Sequence, residues 1–400
     1  MATRRNSGKK PFANLQDHPV AIIGMDAIFP DAPDLQSYWH NIYQEVDSIV
    51  DIPTNRWDID DYFDPDPKAK DRSYSKRGGF IPDIPFNPME FGLPPNILDV
   101  TDVSQLLALV IAKRALTDAG YLEAAPEILE RTGVTLGMVG MGSKVATALS
   151  ARLQFPIWKR ALNNVGITDN EADHIIEKIQ AAYIEWNENA FPGALGNIVA
   201  GRITNRFDLG ATNCTLDAAC ASSLAAIHLA VSDLITGKAD MMLTGGVDLD
   251  NSMLTYLCFS KTPALTPGEK VRTFDESTSG MLPGEGAGMI VLKRLDDAER
   301  DGDRIYAVIR GIGSSSDGRY KSIYAPRPEG QARALRRAYE EAGYAPHTVG
   351  LIEAHGTGTP AGDPAEVEAL KMVFTKDDCH TPQIALGSVK SQIGHTKAAA

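Results

Sequence analysis

Three observations predict an α/β fold for this sequence. Beyond residue 210, short apolar runs at 213–217, 241–246, 288–293, 305–311, 349–354 and 384–387 read as strands, and helix-length segments at 220–234, 330–342 and 364–374 fall between them. Alternation of this kind lays helices on the faces of largely parallel sheets. The composition agrees, with 43% hydrophobic residues and 35 glycines in a chain of 400, long enough for one large domain or two ordinary cores. Finally, the histidines and the cysteine with the most distinctive surroundings fall at strand ends, where open α/β sheets bind ligands.

The earlier elements follow the same logic. Residues 20–25 form an apolar run ending in glycine and read as a buried strand. Residues 50–100, rich in proline, aspartate and glycine, read as a long ordered loop. Within it Asp58, Asp60, Tyr62 and Asp64 are spaced like the start of a calcium loop, but position twelve is Ala69 and the sixth-position glycine is missing, so no calcium site is expected. Leu106, Leu107, Val110, Ile111 and Leu116 predict a helix over 104–120, capped by Ser104 and stopped by Gly120. A strand follows at 133–139. The glycine run 137–144 has its lysine after the serine, the wrong order for a phosphate loop. Residues 143–190 read as inserted helices, and 193–207 as another helix. Residues 1–17, with Arg4, Arg5, Lys9 and Lys10, read as a disordered leader. The chain stops at Ala400 inside a helix start, which predicts the front part of a longer polypeptide.

Charge and cysteine content exclude several classes. A net charge of −13 offers no basic excess to neutralise phosphates, so a general nucleic-acid binder is not expected. Four cysteines without a CxxC pair suit neither a disulfide framework nor a zinc site, and point to a reducing, cytoplasmic setting. No apolar run approaches the roughly 18 residues of a membrane span, and the leader lacks a signal-type apolar segment.

The chemistry concentrates in three segments. Cys220 lies in Asp217-Ala-Ala-Cys-Ala-Ser-Ser223, between a strand and a helix. A helix N-terminus favours thiolate, and the small neighbours leave room for an acyl chain. His355 and His395 lie in glycine-rich turns, where an imidazole N–H can bond a thioester carbonyl and stabilise an enolate. Thr357 and Thr359 are placed to bond a pantetheine amide. Lys390 could pair with Glu366 or Asp363. Cys214, Cys258 and Cys379 read as structural thiols, and His18, His40, His174, His228, His347 and His380 as ordinary surface or core histidines. One thiol and two imidazoles among small residues point to acyl-thioester chemistry.

These segments resemble the three signatures of the β-ketoacyl synthases, the condensing enzymes of fatty-acid and polyketide synthesis. Besides the cysteine segment, Glu353-Ala-His-Gly-Thr-Gly-Thr359 and Gly387-Ser-Val-Lys-Ser-Gln-Ile-Gly-His-Thr396 match, as does Gly284-Glu-Gly-Ala-Gly288. The segments 76–96, 260–264 and 322–328 resemble more narrowly the first ketosynthase of polyunsaturated fatty acid synthases; a glycolipid-type iterative synthase shares much of this pattern. The resemblance implies a thiolase-like fold of two similar α/β halves in a five-layered sandwich, here 18–295 and an incomplete 296–400, usually as a homodimer. It implies that Cys220 accepts the acyl group, that His355 and His395 assist malonyl decarboxylation, and that Lys390, Glu366 and Asp363 support them. Acyl and malonyl carrier proteins are the implied partners and bring the phosphopantetheine; no metal or bound cofactor is implied. Downstream domains are expected. If the chain ended at Ala400 it would lack the last core strands, and could serve only as an inactive dimerisation fragment. A thiolase is not expected, because no second cysteine accompanies His395.

Overall fold

The computed structural model describes residues 14–139, 144–375 and 384–400. Most of the leader, part of the 137–144 glycine run, Cys379 and His380 lie outside the described residues.

The chain opens with β1 (Val20–Ile28) and α1 (Leu35–Tyr43), then crosses the proline-rich region with only short pieces: β2 (Ile49–Asp51), α2 (Ile59–Tyr62) and β3 (Arg77–Gly79). Next come α3 (Val103–Asp118), α4 (Pro126–Leu129) and β4 (Thr132–Gly137). The predicted insert is helical, as α5 (Lys144–Arg152), α6 (Phe155–Asn164), α7 (Asp169–Gln180) and α8 (Ala190–Ala194), followed by α9 (Ile198–Phe207). Then β5 (Asn213–Leu216), α10 (Ser222–Ile235), β6 (Met241–Asp248), α11 (Met253–Lys261), β7 (Gly286–Arg294), α12 (Leu295–Asp301) and β8 (Ala307–Ile309) complete the larger unit. The rest consists of α13 (Pro328–Ala342), β9 (Leu351–Glu353), α14 (Gly362–Phe374), β10 (Ala385–Gly387) and α15 (Lys390–Ile393).

A six-stranded sheet runs in the order β5-β4-β6-β7-β1-β8. Only β5-β4-β6 is parallel; β7 pairs antiparallel with both β6 and β1, and β8 pairs antiparallel with β1. The expectation of a largely parallel sheet is therefore corrected. A short apolar strand buried on both faces reads alike in either direction, so the pattern carried no sign. Strand β8 lies on the edge of this first sheet, Val20 opposite Ile309.

Helices α3 and α9 cover one face of the sheet, and α10 covers the other. In α3 the side chains of Leu107, Leu109, Val110, Ile111 and Leu116 are buried among Ile23, Leu136, Ile203, Leu243 and Val291. A helix apolar nearly all round is a core helix. Its cap is not Ser104: the carboxylate of Asp102 accepts the Ser104 N–H at 2.9 Å, the N-cap geometry in which Asp is as good as Ser. Across the sheet, Ala230, Val231 and Leu234 of α10 pack on Val20, Met242 and Leu292. In the smaller unit β9 and β10 pair in parallel and α13 lies against α14. Among the described residues no helix is long and apolar enough to cross a membrane. The ends of β5, β9 and β10 converge, and the three signature segments leave from those ends.

Candidate active site

The cysteine sits on a tight elbow between β5 and α10. Ala219 takes a left-handed backbone (φ 51°), which costs a residue with a Cβ, so the turn must be held by its neighbours. The Asp217 carboxylate accepts the Ala219 N–H at 2.9 Å. The Ser222 hydroxyl donates to the Ala219 carbonyl at 2.6 Å and accepts the Ala218 N–H at 2.9 Å. Opposite, Gly137 of β4 lies against the first turn of α10; a Cβ there would fall 2.4 Å from the Ser222 carbonyl carbon. Cys220 is thus presented two residues ahead of the helix, half-buried.

The expected thiolate is not favoured. Burial pushes the Cys220 thiol up from its ordinary value, and the positive charge of Lys390, its own backbone N–H and Lys397 only partly offset this. The resting group is therefore a thiol.

His395 is 2% exposed, on a turn whose backbone is fixed on both sides: its N–H donates to Leu282 and its carbonyl accepts from Gly284, each at 2.8 Å. The preceding residue requires glycine, with φ 77° and the carbonyls of Leu282 and Pro283 about to touch any Cβ. The ring is oriented by two contacts. The Lys397 N–H donates to Nδ1 at 3.1 Å, and Nε2 lies 3.1 Å from the Cys220 sulfur. Because Nδ1 is an acceptor, the neutral ring carries its proton on Nε2, facing the thiol. Burial, then the neighbouring His355, Lys390 and Lys397, hold its pKa well below the usual histidine range, so the ring is neutral near pH 7.

His355 is held differently. Both oxygens of the Glu366 carboxylate accept backbone N–H groups, from His355 at 2.7 Å and from Gly356 at 2.8 Å. The residue is exposed on one side, yet protein packed around the rest of the ring, with Lys390, lowers its pKa to about 4. Its ring meets that of His395 edge to face, 5.3 Å between centroids and 86° between planes. The Cys220 sulfur and one nitrogen from each histidine all lie within 4.8 Å of one another. That is close enough for a metal, but a ligating nitrogen needs a free lone pair and His395 Nε2 carries the proton, so this donor set does not fit one.

The supporting residues divide. Asp363 is buried and accepts the N–H groups of Gly358 at 3.0 Å and Phe274 at 2.7 Å. Lys390 is buried nearby, but among the described residues it forms no ion pair with Glu366 or Asp363, contrary to the pairing expected from sequence. Both carboxylates are occupied by backbone N–H groups, and Lys390 feels Glu353, Cys220 and Glu366 only as charges while burial lowers its pKa. Thr357 and Thr359 hydroxyls are 3.0 Å apart, and Thr359 also accepts the Gly362 N–H at the start of α14. Sequence reasoning missed Glu353, whose carboxylate accepts the Val389 N–H at 2.8 Å, and Lys397, Asp248 and Asn251 beneath His395. The only signal for Lys397 was its place two residues after the histidine.

A thiol and two neutral imidazoles at one opening of a thiolase-like fold are the layout of condensing acyltransferases. The chain belongs to the β-ketoacyl synthase family: residues 17–298 match the β-ketoacyl synthase N-terminal domain and residues 306–400 its C-terminal domain. It is similar to a polyunsaturated fatty acid synthase polypeptide of Thraustochytrium sp., 45% identical over 96% of this chain and 14% of that protein. It is 36% identical to polyketide synthase PksL of Bacillus subtilis, over 99% of this chain and 8% of that one. Among solved structures it resembles the PfaC ketosynthase–chain length factor (TM-score 0.85, 33% identity, covering 96% of this chain and 40% of that one). The ketosynthase from module 6 of the B. subtilis bacillaene synthase is also similar (TM-score 0.75, 34% identity, 96% and 59%). The chain therefore spans a small part of the curated relatives.

Proposed function

We propose that this ketosynthase extends acyl chains in a polyunsaturated-fatty-acid or polyketide-like synthase, with Cys220 as nucleophile and His355 and His395 as hydrogen-bond donors. The observation that carries this is the Nε2–H of His395 facing the Cys220 sulfur at 3.1 Å, with His355 across the same opening.

The Cys220 sulfur attacks the acyl thioester of a carrier protein; the carrier thiol leaves with the proton that Cys220 gives up. A malonyl carrier protein then enters. Loss of carbon dioxide leaves an enolate, whose oxygen is stabilised by the imidazole N–H groups. The enolate carbon attacks the Cys220 thioester, forming the carbon–carbon bond and expelling the sulfur as a thiolate, which takes a proton from solvent to restore the thiol. Splitting the transfer in two is covalent catalysis. Neutral rings suit this work, because both histidines are held uncharged at pH 7. Lys390, Glu366 and Asp363 position the histidine loops, and Thr357 and Thr359 bond the pantetheine arm. Phosphopantetheine arrives on the carrier, and the carrier proteins are the partners. Halves 18–295 and 296–400, the second lending β8 to the sheet of the first, a homodimer and a cytoplasmic setting complete the proposal; the similarity to the Thraustochytrium synthase supports the substrate class.

Intact-protein mass measurement after incubation with a panel of acyl carrier proteins tests it. The expected result is a mass gain equal to the acyl group, absent in Cys220→Ala. A gain that persists in Cys220→Ala would overturn the assignment.

A further inference from the structure

We propose that Lys397 is a positioning residue, whose buried ammonium clamps the turn that fixes the proton of His395 on Nε2. The proposal deepens the ketosynthase reading and rests on it for the meaning of that proton, though not for the geometry.

Lys397 takes a left-handed backbone (φ 51°), a conformation that disfavours any residue with a Cβ. Its N–H turns back two residues to His395 Nδ1; the peptide that carries it is aimed by Thr396 (φ −81°, ψ 19°) and ends on the Cα from which the anchored side chain departs. Its side chain is 8% exposed as a residue and reaches three fixed partners: the Asp248 carboxylate at 3.0 Å, the Asn251 side-chain oxygen at 2.9 Å and the Gly284 carbonyl at 2.7 Å. These fill all three donors of an ammonium. The partners are themselves immobile. Asn251 is fully buried and donates to the Gly79 carbonyl at 3.0 Å; the Gly284 N–H donates to the His395 carbonyl; Asp248 is the last residue of β6 and also accepts the Ala398 N–H at 3.3 Å. A buried charge with all its hydrogen bonds made is costly to disturb, so the clamp can hold a backbone that the residue would otherwise leave. The ammonium spends its bonds on Asp248, Asn251 and Gly284, so it holds the ring through the main chain, while its charge adds to those that keep His395 neutral.

The test uses the full chain with ring-15N-labelled histidine. In the wild type the His395 nitrogens should report a single Nε2–H tautomer; a proton on Nδ1 would overturn the proposal outright, with no variant needed. In Lys397→Met the tautomer signal should become mixed and condensation should fall on the order of 10²-fold, the scale of a misplaced catalytic group. Acyl loading of Cys220 by mass should persist. Lys397→Arg should recover part of both. If Lys397→Met fails to fold because Asp248 is stranded, Asp248→Asn/Lys397→Met removes that charge and is measured instead. A folded variant with the wild-type tautomer and rate would make the lysine merely structural and sink the proposal. A wild-type chain with the Nε2–H tautomer but no loading or condensation would instead defeat the ketosynthase reading and leave the clamp standing.

Discussion

His395 and His355 face each other across 5.3 Å, but the chain grips them by different handles. At His395 the ring itself is gripped: it is buried, Nδ1 is bonded to a backbone N–H, and Nε2 can point only at the sulfur. At His355 the backbone is gripped, through the two oxygens of Glu366, while one side of the ring stays open. The first arrangement fixes which nitrogen carries the proton. The second fixes where the residue is and lets the ring adjust to what enters. On the proposed ketosynthase reading, in which two thioesters enter in turn, one rigid donor beside the nucleophile and one adaptable donor toward solvent are an advantage.

Substitutions can break this contrast. The largest effects belong to the rings: His395→Ala and His355→Ala should each lower condensation by on the order of 10²-fold or more, the cost of losing one oxyanion donor. Wild-type turnover in either variant, measured by product mass, would remove that ring from the mechanism. Glu366→Ala should act on one histidine only. Losing two charge-assisted bonds of about 1.5–3 kcal/mol each loosens the His355 loop. Condensation should fall about tenfold while Cys220 loading is unchanged; an equal fall in loading would show that Glu366 serves both sides. Gly394→Ala should cost about 1–3 kcal/mol of stability by forcing a Cβ into a left-handed turn, read as a lower denaturation midpoint. Smallest is a pH effect. The folded pKa of His355, about 4, lies below its unfolded value of roughly 6.5. Between those values the unfolded chain binds more protons, so stability falls as pH drops through that window and is flat above it. Asp26, raised to about 6 by burial, works in the opposite direction over part of the same range. His355→Gln should make the acid-side decline shallower in denaturant titrations at pH 5 and 7.5; an unchanged decline would mean that the ring is as solvated as its exposed side.

That Cys220, His355 and His395 would come together was legible in the three segments taken jointly and in their resemblance to the β-ketoacyl synthase signatures; a lone cysteine or histidine reads as structural. The strand ends that bring Cys220, His355 and His395 together followed from the same alternation that gave the helices. What escaped were properties of the assembled surroundings. The Cys220 pKa depends on how much protein covers the sulfur, which outweighs the charge of Lys390. The partners of Glu366 and Asp363 are backbone N–H groups, which every residue but proline has and no motif displays. Helices α1, α11 and α12 were not foreseen, and strand direction at β7 and β8 was invisible for the same reason: it is set by pairing, not by pattern.

One further consequence attaches to Glu285. Its carboxylate is fully buried, takes both arms of Arg56 at 2.9 and 2.7 Å, and accepts the Ile81 N–H at 3.2 Å. Its neighbour Gly284 donates to the carbonyl of His395. The proline-rich region, read from the sequence as a long ordered loop, is therefore latched by this side chain and by the backbone of Gly79 to the segment just before β7, which also bonds the backbone of His395. Amide protons at Ile81 and Gly284 should then exchange with solvent water at a common, slow rate, because opening one requires releasing the other.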